Sequence, residues 1–150
     1  MSKVQRLGPL STLALALAIV LPAEGRAQDH PYTEGSVWQV TYVKTAPGHF
    51  EDYLRDLAGG WKRVNDAAIE AGHVLSYRIL AAPAANPGDW DLMLLVEVPN
   101  MAALDDGFAK FDPIVAQVFG SLPESQQASV RRSELRQILG DKVAREIALK

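Results

Sequence analysis

Val37-Trp38-Gln39-Val40-Thr41-Tyr42-Val43 changes character at every second residue. One parity carries Trp38, Val40 and Tyr42. The other carries Gln39 and Thr41 between Val37 and Val43. Such segregation is the mark of a strand with two different faces. Ala46-Pro47-Gly48 turns the chain, and from His49 the period lengthens. Phe50, Leu54, Leu57, Trp61, Val64 and Ala68 then recur at helical steps and line one helix face. Glu51 and Asp52 in the first turn suit the helix dipole, and Gly72 is a natural stop. The pair Gly59-Gly60 predicts a kink there, or the close approach of another backbone.

Val74 to Leu80 reads as a second strand, with Leu75, Tyr77 and Ile79 on one parity and Ser76 and Arg78 on the other. Residues 81–89 hold two prolines, an asparagine and a glycine and form a loop. Trp90 to Val98 is a third strand. Trp90, Leu92, Leu94, Val96 and Val98 share one face; Asp91, Met93, Leu95 and Glu97 share the other. Its apolar composition places it centrally in a sheet.

Asn100 is an N-cap for a helix from Met101 to about Phe111, and Pro113 is expected to break or kink it. Ile114 to Phe119 continues as a short helix. Ser121-Leu122-Pro123-Glu124 is a further helix start. A polar helix from Ser125 to Leu139 is predicted to end at Gly140, before a last strand from Val143 to Leu149. The order is β-α-β-β-α-β with one extra helix before the last strand.

The chain resembles the dimeric α/β-barrel superfamily. The resemblance rests on Val37-Trp38-Gln39-Val40, the Pro47-Gly48 turn, Trp90-Asp91-Leu92, and the ending Leu139-Gly140-Asp141-Lys142-Val143-Ala144-Arg145-Glu146-Ile147. That ending is similar to an exported bacterial branch. The resemblance implies an α+β subunit: a ferredoxin-like βαββαβ domain with a four-stranded antiparallel sheet, paired with a second copy. Superfamily members include cofactor-free monooxygenases, haem-binding enzymes and proteins without assigned chemistry. None of their catalytic residue sets matches this chain.

The chain has 150 residues, a formal net charge of −3 and no cysteine. Lys3 and Arg6, the apolar run Leu10 to Leu21 and the small-x-small site Gly25-Arg26-Ala27 make residues 1–27 a secretory signal. The run is shorter than the roughly 20 residues that span a bilayer. Export is therefore expected, to the periplasm or beyond, with no membrane attachment after cleavage. A flexible arm at 28–35 and one domain at 36–150 follow. Removing Lys3, Arg6, Arg26 and Glu24 leaves a more acidic domain without a basic cluster, which argues against nucleic acid. Without cysteine there is no disulfide and no thiolate chemistry.

Sorting strand residues by parity predicts that Trp38, Val40, Tyr42, Leu75, Tyr77, Ile79, Leu92, Leu94 and Val96 lie under the helices. A second face would hold Gln39, Thr41, Ser76, Arg78, Asp91, Met93 and Glu97. In a homodimer that face meets the partner's sheet, where Val37, Val43, Met93 and Leu95 supply apolar area. The candidate ligand-binding set is Arg78, Asp91, Gln39, Thr41, Ser76 and Glu97. Arg78 is expected opposite Asp91, either orienting an anionic ligand through its planar fork or serving only as a structural pair.

No cofactor is expected. Cleavage after Ala27 would start the mature chain at Gln28-Asp29-His30, and His30 at the third position could complete a Cu(II) or Ni(II) nitrogen set. His49 and His73 have no partner at metal-ligand spacing. Phosphate loops, Gly-x-Ser-x-Gly and His-Glu-x-x-His are absent. Two functional readings follow. One is an exported homodimer, structural or holding a small apolar or aromatic ligand between its sheets. The alternative is a cofactor-independent monooxygenase or related small-molecule enzyme.

Overall fold

A computed structural model of the protein describes residues 29–150. The expected leader at 1–27 and Gln28 lie outside the described residues. The order is β1 (Tyr32–Thr45), α1 (Phe50–Gly59), α2 (Trp61–Glu70), β2 (Ser76–Ala81), β3 (Leu92–Val98), a 3-10 turn (Met101–Leu104), α3 (Gly107–Phe119), α4 (Leu122–Arg132) and β4 (Arg136–Leu149). The sheet runs β2-β3-β1-β4, and all three pairings are antiparallel. That order, with helices joining β1 to β2 and β3 to β4, is the ferredoxin-like arrangement. The expected fold class is the one observed.

Register fixes the faces. Val37, Gln39, Thr41 and Val43 lie opposite Val98, Val96, Leu94 and Leu92, and residues directly opposite share a face. The helices cover this face in two clusters. Val37, Val98, Ala68, Val74 and Ile114 pack at one end; Val43, Leu92, Leu94, Tyr53 and Leu57 pack at the other. Each large side chain so buried contributes about 1.5–3 kcal/mol.

The expected parity of β2 and β3 is the one found, since Tyr77 and Ile79 lie opposite Val96 and Leu94. That of β1 is reversed. Gln39 and Thr41 point to the helix side, while Trp38, Val40 and Tyr42 share the open face with Glu97, Leu95 and Met93. Val37 and Val43, expected at a dimer surface, are 0% exposed in the single chain. The misreading has a clear source. Both parities of β1 carry large apolar residues, and the pairing to β3 decides between them.

The expected arm is partly strand. Tyr32, Thr33 and Glu34 pair with Leu149, Ala148 and Ile147, and the Lys150 N–H donates to the Pro31 carbonyl at 3.0 Å. β1 and β4 thus run on as a two-stranded ribbon beyond the reach of β3. Two bulges bend it. Gly35 and Ser36 stand against Glu146 alone, and Leu139 is unpaired between Ile138 and Gly140.

The second half departs further from expectation. α4 begins as predicted, its Ser121 hydroxyl accepting from the Glu124 N–H at 3.3 Å. It ends at Arg132 rather than Leu139, and Gly140 lies inside β4 instead of stopping a helix. Pro113 does not break α3, which continues from Gly107 to Phe119. Pro113 and Ala109 are both exposed, so water can satisfy the carbonyl that loses its partner.

α1 and α2 are one helix interrupted at Gly60. A Cβ built there would stand 2.8 Å from the Phe119 Cζ and 3.2 Å from the Arg132 Nη2. The glycine pair therefore marks the expected break, while what comes close to Gly60 is the Phe119 and Arg132 side chains rather than another backbone. Arg132 reaches across from α4 to pair with Asp56 on α1.

Candidate functional site

Gln39 and Thr41 explain why the core has two clusters. They are polar residues in the middle of a helix-covered face, and a hydrophobic seal would leave their groups unpaired. The helices instead leave a cleft over them. One part, of about 350 Å³, is lined by Gln39, Thr41, Trp61, Leu94, Val96 and Val143, with Asp141 at its edge. A second, of about 540 Å³, also reaches Gln39 and runs under Leu104, Phe108 and Phe111. Phe108 is 86% exposed at this opening.

Each wall has a local cause. Trp61 opens α2 directly after the Gly60 break, and its ring meets Tyr77 edge to face at 5.1 Å. The Tyr77 hydroxyl donates to Asp66 at 2.8 Å, and the Lys62 ammonium donates to the same carboxylate at 2.6 Å. The Lys62 and Tyr77 hydrogen bonds hold the Asp66 carboxyl below its ordinary range. Thr41 donates its hydroxyl to Asp141 Oδ1 at 2.6 Å, tying the centre of β1 to the edge strand. Among the described residues, Asp141 has no other side-chain hydrogen bond.

The sequence-predicted set is divided by the fold. Ser76, Arg78 and Glu97 do lie on the open face. Glu97 accepts from Ser76 at 2.5 Å and from Ser36 at 2.7 Å, and these hydroxyls hold its carboxyl below the ordinary value. Gln39 and Thr41 sit on the opposite side of the sheet. Arg78 stands opposite Leu95, not Asp91. Asp91 is spent on Thr45, accepting its backbone N–H at 3.0 and 3.1 Å and its hydroxyl as well. The expected Arg78–Asp91 anion site is therefore not assembled.

His30 is exposed, its ring 5.5 Å from that of Tyr32. The nitrogen set proposed for it includes Gln28, outside the described residues. His49 pairs with Asp52 at 3.2 Å on the surface, and the His73 ring lies 6.2 Å from that of Phe111. Among the described residues no group of three or more His, Asp or Glu is placed to hold a metal ion. Sequence reasoning missed Trp61 and Asp141 as site residues. Trp61 falls on a packing stripe, and Asp141 falls where a helix end was expected.

No family model matches the chain, and no curated protein matches it. Among solved structures it is similar to a dimeric ferredoxin-like protein from an uncultured marine organism, with 12% identity over 79% of this chain and 90% of that one, TM-score 0.45. A dimeric ferredoxin-like protein of unknown function from Thermobifida fusca shares 13% identity over 76% and 92% of the two chains, TM-score 0.41. A third, dimeric and of ferredoxin-like fold from Bacteroides fragilis, shares 14% identity over 77% and 96%, TM-score 0.38.

Proposed function

We propose that the protein is an exported homodimer, built by packing open sheet faces together, that binds a small and largely apolar or aromatic molecule in the cleft between sheet and helices. The observation that carries the dimer is the open face itself. Trp38, Tyr42, Met93 and Leu95 lie together there, each partly exposed in the single chain and none of them in the helix-packed clusters. Burying such area gains about 25 cal/mol per Å². A second copy is the fitting cover, because the face carries both charge signs. Arg78 and Lys142 share it with Glu97, so a two-fold axis can set opposite charges against each other.

The cleft supports binding more directly than catalysis. It joins apolar walls to a few fixed polar groups, the usual make-up of a small-molecule site. A catalytic reading needs a base or several convergent donors aimed at one reacting atom. Among the described residues the cleft offers one hydrogen-bonded pair, Thr41 and Asp141.

Sedimentation at micromolar concentration tests the dimer. About twice the subunit mass is expected, with Leu95→Arg shifting the protein toward monomer. A mass that stays at one subunit over a wide concentration range overturns the arrangement. Native mass spectrometry of protein taken from the periplasm tests export and retained ligand together. Protein found only in the cytoplasm refutes the export.

A further inference from the structure

Among the described residues, two carboxylates and one cation line the cleft. Asp141 and Asp112 are the carboxylates lining its two parts. Lys142 also lines the first part, but its ammonium group lies 5.9 Å from the Tyr42 ring, on the open face of the sheet. Arg145, the next cation along β4, is paired with Glu34. Thr41 has committed its hydroxyl hydrogen to Asp141. What remains for an occupant is one Asp141 oxygen, the Thr41 lone pairs and the Gln39 amide, whose carbonyl accepts and whose NH2 donates, so acceptors outnumber donors. The Trp61 indole lines the same part of the cleft. A carboxylate next to an aromatic ring favours organic cations, through charge and through the ring's negative face.

The geometry points to a small arylalkyl amine as the ligand class, its ammonium group held by Asp141 and Thr41 and its ring packed against Trp61, Leu94 and Val96. The inference rests on the cleft reading above and narrows it. It also reverses the sequence-based expectation, in which Arg78 received an anion. A cleft part of about 350 Å³ has room for one aromatic ring with a short chain. Acidic ligands are disfavoured, because they would bring a carboxylate beside Asp141 while Lys142, the cation lining the cleft among the described residues, lies against the Tyr42 ring.

Calorimetric titration of the mature protein separates the outcomes. Three probes of one shape are used at neutral pH and low salt: 2-phenylethylamine, 2-phenylethanol and 3-phenylpropionate. The amine is expected to bind at least about tenfold more tightly than the carboxylate, as a partly screened ion pair allows. The alcohol should fall between them. Asp141→Asn should bring the amine down to the level of the alcohol. High salt should narrow the wild-type preference in the same direction, a readout that does not depend on the variant folding. A carboxylate that binds as well as the amine, or a preference that survives both Asp141→Asn and high salt, overturns the inference. If the alcohol binds and Trp61→Ala abolishes it, yet no amine preference exists, the cleft is a binding site and only the ligand class is wrong. If none of the three binds up to millimolar concentration, both readings fall.

Discussion

Asp91 closes one end of the sheet on Thr45. Its two carboxylate oxygens take the Thr45 N–H at 3.0 and 3.1 Å and also accept the Thr45 hydroxyl. Thr45 is only 8% exposed, so water is a poor substitute. Asp91→Ala is expected to destabilise the protein by about 1–3 kcal/mol, the cost of leaving buried donors unpaired. Asp91→Asn, which keeps one acceptor oxygen, should lose less. Urea unfolding of the three proteins measures the difference, and an unchanged midpoint in Asp91→Ala would show that the contact contributes nothing.

The two neighbouring glycines should respond in opposite directions. At Gly60 an added methyl meets Phe119 and Arg132, so Gly60→Ala should cost about 1–3 kcal/mol through overpacking. At Gly59 nothing lies within 4 Å of the same methyl. Gly59→Ala should stabilise α1 by about 0.5–1 kcal/mol. Thermal melts of the pair check the sign; equal shifts would mean that the approach of Phe119 is not a constraint.

Glu97 gives the fold an acid dependence. Hydrogen bonds from Ser76 and Ser36 lower its folded pKa from the ordinary value of 4.5. A depressed carboxyl adds stability that is complete above the unfolded pKa and is lost as pH falls through the folded one. Wild type should therefore lose stability below about pH 4.5 more steeply than a Ser36→Ala, Ser76→Ala double variant. The two stability curves should approach each other in acid. Parallel curves between about pH 5 and about pH 3 would show that the hydroxyls do not set the carboxyl.

Tyr53 predicts a fourth outcome. Its ring is buried, with the Arg136 guanidinium carbon 5.8 Å from the centroid. Burial raises the phenol above its ordinary value of 10.0, with Arg136 pulling the other way. Tyr53→Phe should be close to neutral, while Tyr53→Ala should cost about 3–5 kcal/mol, as for other large core side chains. Chemical denaturation distinguishes them, and a large loss in Tyr53→Phe would reveal a hydroxyl contact that matters more than the ring.

The sequence displays the strands more plainly than their sides. β2 and β3 read correctly because one parity of each is consistently apolar. β1 does not, because Trp38, Val40 and Tyr42 compete with Val37 and Val43 for the core. Gln39 and Thr41 can lie on the helix side only because a cleft opens above them, and a cleft is a property of three packed elements rather than of one strand. The start of α4 is legible in Ser121-Leu122-Pro123-Glu124, but residues 133–135 hold neither glycine nor proline to mark its end. Gly140 drew the boundary instead, and with it hid Asp141. The candidate set failed for a related reason: Asp91 has the right chemistry for Arg78, but register gives it to Thr45.

The ribbon of β1 and β4 has a consequence for how the chain acquires its shape. Thr33 meets Ala148, and Glu34 meets Ile147, so the first strand finds its outer neighbour more than a hundred residues later. Contacts of such separation close large loops before any reward, and they fold slowly. Until residues 136–149 arrive, one edge of β1 stays unpaired, so a partly synthesised chain cannot complete its sheet. Folding is thereby deferred until β4 has been made. The docking of β4 is then the event that makes the fold final.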